Sequence, residues 1–221
     1  PLLSIDSNKT NTSQDVSGSY SIFQRILGKI PVEKDGSFHV RVPSEIPLSF
    51  HLLDSNGMSV GRQKSFTWVM YGENRGCIGC HEDRELSPPN RFIDAVKKPE
   101  NKLSIDPKNP GMIDFVSHVF PVIEKKCFAC HAAGKKAPSF GDPRKTFQAL
   151  IRSENPAVIP FKPTQSPLMK TLFNLDPKNI HGLEKCSMNL TDTEKQILVD
   201  WVNTGAAYLI PKILSVSKFQ E

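Results

Sequence analysis

Two five-residue runs constrain this chain more than anything else in it: Cys77-Ile78-Gly79-Cys80-His81 and Cys127-Phe128-Ala129-Cys130-His131. Residues i, i+3 and i+4 fall on one face of a helical turn, so two thiols and one imidazole address a single ligand. C-x-x-C-H is the signature by which a haem is tethered: the thiols add to its two vinyl groups and the histidine reaches the iron. Zinc is the first competitor, but zinc modules space their cysteine pairs by about 12 to 20 residues, and here 46 residues separate Cys80 from Cys127. A redox dithiol is the second, and it requires one C-x-x-C on a βαβ pattern, which is absent. The motifs therefore predict two covalently bound haem c groups, with Cys77, Cys80, Cys127 and Cys130 as thioether carriers and His81 and His131 as proximal iron ligands. Cys186 is left over, read as a free thiol, with an intermolecular disulfide as its alternative.

Length and charge narrow the remainder. A chain of 221 residues holds one or two compact units. No stretch approaches the ~20 apolar residues of a membrane-spanning helix, so no span is expected. Pro1-Leu2-Leu3-Ser4 lacks a basic n-region or cleavage site, so any export signal is expected to have been removed or to lie outside this chain. The net charge is +5, and its one local concentration is Lys125, Lys126, Lys135 and Lys136 around the second motif. That cluster reads either as a solvated rim or as a docking surface for an acidic redox partner. The lysines are not interleaved with aromatics, which argues against nucleic acid.

Along the chain the character changes from β to α. Residues 1 to about 19 are rich in Ser, Thr, Asn and Asp and are assigned no element. From Ile22 to Trp68 apolar and polar residues alternate between turn signals at Lys34-Asp35-Gly36 and Asp54-Ser55-Asn56-Gly57, predicting short antiparallel strands. Phe38, Val40 and Val42 should face a core and His39 and Arg41 should face away. Pro88, Pro89, Pro99, Pro107 and Pro110 make 82–110 a connector with at most a short helix near Phe92 to Val96. Ile113, Val116, Val119, Phe120 and Ile123 then run at helical spacing into Cys127, with a kink or restart expected at Pro121. Ser166-Pro167 looks like a helix N-cap with proline at the first helical position. Thr191-Asp192-Thr193-Glu194 has capping-box spacing, and Ile197, Leu198, Trp201 and Val202 follow until Gly205. The expected class is α+β: a β-rich unit over 1–75, a proline-rich haem-1 segment over 76–110, and a mainly helical haem-2 domain over 111–221.

The last of these resembles class I c-type cytochromes, which carry a methionine ligand roughly sixty residues after the motif. Met188 follows His131 by 57 residues, just before the capping box, and is the expected distal ligand of haem 2. His181 is the alternative, and would give a lower potential. For haem 1 the distal candidates are His118, His39, His51, Met58 and Met70. His118 has the geometric case, lying nine residues before Cys127, about 14 Å up a helix, although it reads equally as a surface histidine. His39 and His51 are expected on the outer faces of strands. Trp201 and Phe140 are either pocket aromatics of haem 2 or ordinary core residues. Likeness to c-type cytochromes also implies a periplasmic or otherwise extracytoplasmic location, where such haems are attached.

A more specific likeness covers about residues 22 to 207. Leu27-Gly28-Lys29-Ile30-Pro31-Val32-Glu33-Lys34-Asp35-Gly36-Ser37, Val42-Pro43, Leu53-Asp54 and Trp68 through His81 resemble the haem-bearing region of the hydrazine synthase alpha-subunit-like family. Phe115 through His131, Ser166-Pro167-Leu168 and Trp201-Val202-Asn203-Thr204-Gly205-Ala206 are similar to a cytochrome c domain of planctomycete-type proteins. The resemblance implies one catalytic and one electron-transfer haem, with a tyrosine close behind the first motif in the active site. Here Glu82, Asp83, Arg84 and Glu85 follow His81 instead. The leading expectation is an electron-relay protein, alone or as a subunit of a larger complex. Its rival is a haem enzyme whose open haem-1 iron acts on peroxide or a small nitrogen compound, with Glu82, Asp83 and Glu85 nearby. A structural zinc module is the third reading.

Overall fold

The computed structural model describes residues 2–9, 23–78, 92–103, 111–132, 139–175 and 190–208. Strands and helices mix in an α+β fold. Four strands form a sheet of order β2-β1-β4-β5, with β1 at Leu2–Lys9, β2 at Phe23–Pro31, β4 at Leu48–Leu53 and β5 at Ser59–Arg62. β1 corrects the expectation that the polar N-terminus lacks an element. Its backbone pairs antiparallel with β2 on one side and β4 on the other, so its donors and acceptors are taken up whatever its low β-propensity.

Both expected turns form, each for a local reason. In the β4–β5 hairpin Asp54 Oδ1 accepts from the Asn56 and Met58 amides, both at 2.9 Å, and Gly57 supplies the left-handed φ of +77°. At the other turn Asp35 Oδ1 accepts from the Ser37 amide at 3.1 Å and its hydroxyl at 2.6 Å. That turn also caps the short 3₁₀ helix Asp94–Lys97, because Asp35 Oδ2 takes the Asp94 amide and Ser37 Oγ takes the Ala95 amide. The pairing of Val40 is a second correction. The two-residue β3, Val40–Arg41, runs parallel with β6, Asn101–Lys102, rather than antiparallel to a neighbour. Phe38, Val40 and Val42 still face the small core of Leu27, Ile30 and Leu48.

The helical half begins with a π-turn at Phe115–Val119, whose N-cap Asp114 accepts from the Ser117 amide at 2.7 Å. The turn tightens to helix α1, Phe120–His131, where Pro121 has no amide to continue the wider ladder. α2 is Pro143–Ile151, α3 is Pro167–Leu172 and α4 is Asp192–Asn203. α4 has the expected capping box: Thr191 Oγ1 accepts from the Glu194 amide at 3.2 Å, and Glu194 Oε2 from the Thr191 amide at 2.8 Å. At α3 the N-cap position is as read, but the cap bond is not. Ser166 Oγ instead accepts from the Ile159 amide and donates to the Lys162 carbonyl, both at 2.9 Å. The helices share a core centred on Phe115 and Trp201, whose rings lie 5.4 Å apart.

The halves are tied together by polar contacts that neither half satisfies alone. Met58, at the hairpin tip, is buried inside the helical core. Asn203 accepts from the Ser59 amide at 3.0 Å and donates to the Gly57 carbonyl at 2.8 Å. Lys29 Nζ sits 2.7 and 2.9 Å from the two Asp200 oxygens, 171 residues away in sequence.

Candidate functional site

The second motif occupies the last turn of α1, where the chain follows the helical spacing read from the sequence. Cys127 is half-buried against the core, and burial pushes its thiol up to about 11. Such a thiol is almost wholly protonated at neutral pH and resists adventitious oxidation. Cys130 is paired in a disulfide whose partner lies outside the described residues. A thioether needs a thiol, so that bond must be reduced before Cys130 can add to a vinyl group.

Aromatic rings surround the motif. The Phe128 ring stands 5.8 Å from Phe120, edge-on, and 6.0 Å from Phe140. Phe140 also lies 5.1 Å from the His131 ring, and its amide donates to the His131 carbonyl at 2.6 Å. The chain end of the helix is thereby fixed, with an apolar wall beside the imidazole. Both Phe140 and Trp201 are buried members of the helical core; Phe140 also packs on His131, and Trp201 Nε1 donates to the Ala207 carbonyl at 2.9 Å. Of the surrounding lysines, Lys126 pairs with Glu194 of the capping box at 3.3 Å, so it braces α1 on α4. Lys135 and Lys136 lie outside the described residues, as do Cys186, Met188 and His181.

The first motif has a different setting. Cys77 is exposed at the end of an irregular segment, 73–78, while Cys80, His81 and residues 82–85 lie outside the described residues. The segment leading to it is well anchored. Thr67 and Leu48 exchange both backbone bonds, and the Glu45 amide donates to the Val69 carbonyl at 2.8 Å. The Met70 amide donates to Glu73 Oε2 at 2.7 Å, and Arg75 Nε donates to Oε1 at 2.9 Å. The Met70 amide first, and then Arg75, hold the Glu73 carboxyl below its usual range. Glu45, Pro47, Trp68 and Met70 line a shallow cleft of about 320 Å³.

The haem-1 ligand candidates are scattered. Met58 is fully buried in the helical core. His51, expected on an outer face, is also fully buried, because it shares with Ser49 and Leu53 the covered face of β4, whereas Leu52 on the opposite face is exposed. Its Nε2 lies 3.2 Å from Ser49 Oγ, and burial, then the charge of Arg62, pulls its pKa down to about 4. His39 is half-buried just before β3, with its Nδ1 enclosed. His118 is partly exposed on the π-turn, its Nδ1 accepting from the Asp114 amide at 3.3 Å. Among the described residues no group of three or more His, Cys, Asp or Glu side chains converges as a metal site, and no helix is long and apolar enough to cross a membrane.

Sequence reasoning overlooked the Lys29–Asp200 pair. Burial raises the Asp200 carboxyl above its ordinary range, and Lys29 and Gln196 only partly offset that. The readable signal was a polar stripe, Gln196, Asp200 and Asn203, at i, i+4 and i+7, set among the apolar Ile197, Leu198, Val199, Trp201 and Val202.

Comparison with known proteins places these features. Residues 4–82, which include the first motif, match the hydrazine synthase alpha subunit middle domain. No curated protein matches. Among solved structures, hydrazine synthase from Kuenenia stuttgartiensis superposes with a TM-score of 0.64 at 17% identity. The superposition covers 94% of this chain and 38% of that one, so the chain spans well under half the length of that relative. The chain is thus similar in residues 4–82 to that middle domain and shares a fold with the solved protein along nearly all of its own length.

Proposed function

We propose that the chain binds two haem c groups, one through Cys77, Cys80 and His81 and one through Cys127, Cys130 and His131, and relays single electrons between redox partners. Haem iron supplies reversible one-electron exchange, with a potential set by axial ligand, hydrogen bonding and burial. The observation that carries this reading is the second motif on the last turn of α1, walled by Phe128 and Phe140. There the chain's own residues have definable tasks. Cys127 and Cys130 would tether the haem, His131, with its ring beside Phe140, would ligate its iron, and Phe120, Phe128 and Phe140 would keep water from one side. Met188, with His181 as the alternative, would supply a further iron ligand. In this reading 111–221 is a class I cytochrome c-like domain, 76–110 the haem-1 segment and 1–75 the β-rich unit.

The relay needs partners. Lys125, Lys135 and Lys136 would favour an acidic redox protein, with a salt-sensitive rate, while Lys126 is committed to Glu194. Likeness to part of a much longer chain supports assembly with other subunits, and haem attachment supports an extracytoplasmic location. Likeness to hydrazine synthase favours one second reading: an open haem-1 iron that acts on a small nitrogen compound or peroxide.

Intact mass and a redox-resolved absorption and paramagnetic resonance titration test these readings. The relay predicts the added mass of two haems and two low-spin signals unaffected by cyanide, and Met188→Ala should lower the potential of one. A high-spin signal that responds to cyanide or nitric oxide in the unaltered protein would transfer support to the enzyme. A protein isolated at its bare polypeptide mass would end both.

A further inference from the structure

Two short segments, 68–71 and 92–96, keep large apolar side chains in water, and the first of them lines a cleft. Trp68, Met70 and Tyr71 are 54%, 55% and 87% exposed. Single exposures scattered over a surface are ordinary, but Trp, Met and Tyr together are the residues enriched at the covered centre of a protein interface. Trp68 and Met70 share a shallow cleft of about 320 Å³ with Glu45 and Pro47.

The cleft is built on fixed backbone. Leu48 and Thr67 exchange both backbone bonds, at 2.7 and 3.0 Å, and the Glu45 amide donates to the Val69 carbonyl at 2.8 Å. Leu48 is in turn fully buried in the small β core. A surface held in this way loses little conformational freedom when it is covered.

The chemistry of the lining selects an occupant. Glu45 stands at φ +60°, a left-handed conformation that is costly for a residue with a Cβ, so the chain holds a carboxylate where glycine would sit more easily. Among the described residues no cation pairs with that carboxylate, whereas the neighbouring Glu73 is already met by the Met70 amide and by Arg75. A carboxylate and an indole lining one cleft match a guanidinium, which stacks on an aromatic ring and donates to an acid through its planar fork. The cleft is too shallow to enclose a small molecule, since ligand pockets bury most of their ligand's surface. A long basic tract is disfavoured as well, because the chain carries a net charge of +5.

We propose that this cleft docks a partner protein through a single arginine set between apolar residues, with Glu45 meeting its charge and Trp68 and Met70 its flat face. The site does not depend on haem, so it stands or falls apart from the relay.

The test titrates the full chain, isotope-labelled at tryptophan, with the capped tripeptide Leu-Arg-Leu and follows the indole resonances. The chain has two tryptophans, and Trp201, fully buried with its Nε1 bonded to the Ala207 carbonyl, serves as the internal control of folding in every variant. The Trp68 signal, identified by its absence from Trp68→Ala, should shift saturably while that of Trp201 stays in place. Leu-Gln-Leu should bind roughly fivefold more weakly than Leu-Arg-Leu. Glu45→Gln should lose most of that preference, and added salt should erode it. A Trp68 signal that neither peptide moves, equal affinity for the two peptides, or an arginine preference that Glu45→Gln keeps in full overturns the proposal. So does a chain that self-associates in ultracentrifugation and becomes monomeric as Trp68→Ala, because the face would then belong to a second copy.

Discussion

The two C-x-x-C-H motifs have the same residue types at the same spacing but unlike surroundings. The second is part of a helix: Cys127 is half-buried, burial pushes its thiol up to about 11, and Phe120, Phe128 and Phe140 line the turn. The first follows an irregular segment in which Cys77 is exposed and the neighbouring aromatics face water. A motif specifies bond chemistry, since two thiols and an imidazole need only one helical turn. What tunes the bound group is the protein around it, through burial, axial ligand and solvent access. On the two-haem proposal, the second group would depend on the integrity of the helical core and the first on a local surface segment.

The sharpest way to break that contrast is to truncate one tryptophan from each setting. Trp201 is fully buried between Phe115 and Phe147, so Trp201→Ala should cost about 3 to 5 kcal/mol. Trp68 is 54% exposed, and Trp68→Ala should cost under about 1 kcal/mol while perturbing the spectrum of one haem. Equal urea midpoints for the two variants would remove the distinction between a core-built and a surface-built site.

Next in size is the link between the halves. Lys29→Met leaves the Asp200 carboxylate buried without its cation, which should cost about 3 kcal/mol at pH 7. Burial already holds the Asp200 pKa above its unfolded value, so the folded state retains this proton to higher pH than the unfolded chain. Stability therefore falls as pH rises out of the carboxylate range, and the variant should be least impaired near pH 4. Adding Asp200→Leu should restore much of the loss. A defect independent of pH would show that Lys29 acts by packing alone.

His51 works in the opposite direction. Its folded pKa of about 4 lies below the model-peptide value of 6.5, so its contribution is complete above pH 6.5 and is lost as pH falls toward 4, because the unfolded chain takes the proton first. The gap corresponds to about 3 kcal/mol. Denaturant titrations at pH 7 and 4.5 should show His51→Leu losing less stability on acidification than the unaltered chain, and parallel losses in the two proteins would count against a buried neutral histidine.

What could be read in advance followed the range of the interactions. Asp54-Ser55-Asn56-Gly57 and Thr191 through Glu194 were legible because the side chain and the amide it satisfies lie within four residues. β1 was not, since its pairing partners stand 14 to 51 residues away and its composition resembles a loop. His51 was misread because alternation alone does not say which face is wet: Ser49, His51 and Leu53 lie on the buried face, and Leu52 on the other is exposed. The two motifs read alike in the sequence, and nothing in their spacing distinguishes a helix end walled by phenylalanines from an exposed segment.

The smallest effect probes how far the lysines of the second motif are available to a partner. Glu194 has two tasks: its carboxylate accepts the Thr191 amide in the capping box and also pairs with Lys126. Glu194→Gln retains an acceptor for the cap but removes the negative charge beside Lys126, and it adds one unit to the local positive field. Electron exchange with an acidic redox protein should then speed up by roughly twofold at low salt, and the gain should fade as the Debye length shortens toward about 8 Å at physiological ionic strength. Thr191→Ala separates the tasks, because it removes the hydroxyl cap, at a cost of about 1 kcal/mol, and leaves the charge in place. If Thr191→Ala changed the exchange rate as much as Glu194→Gln, the lysines would be acting through the stability of α4 and not through their field.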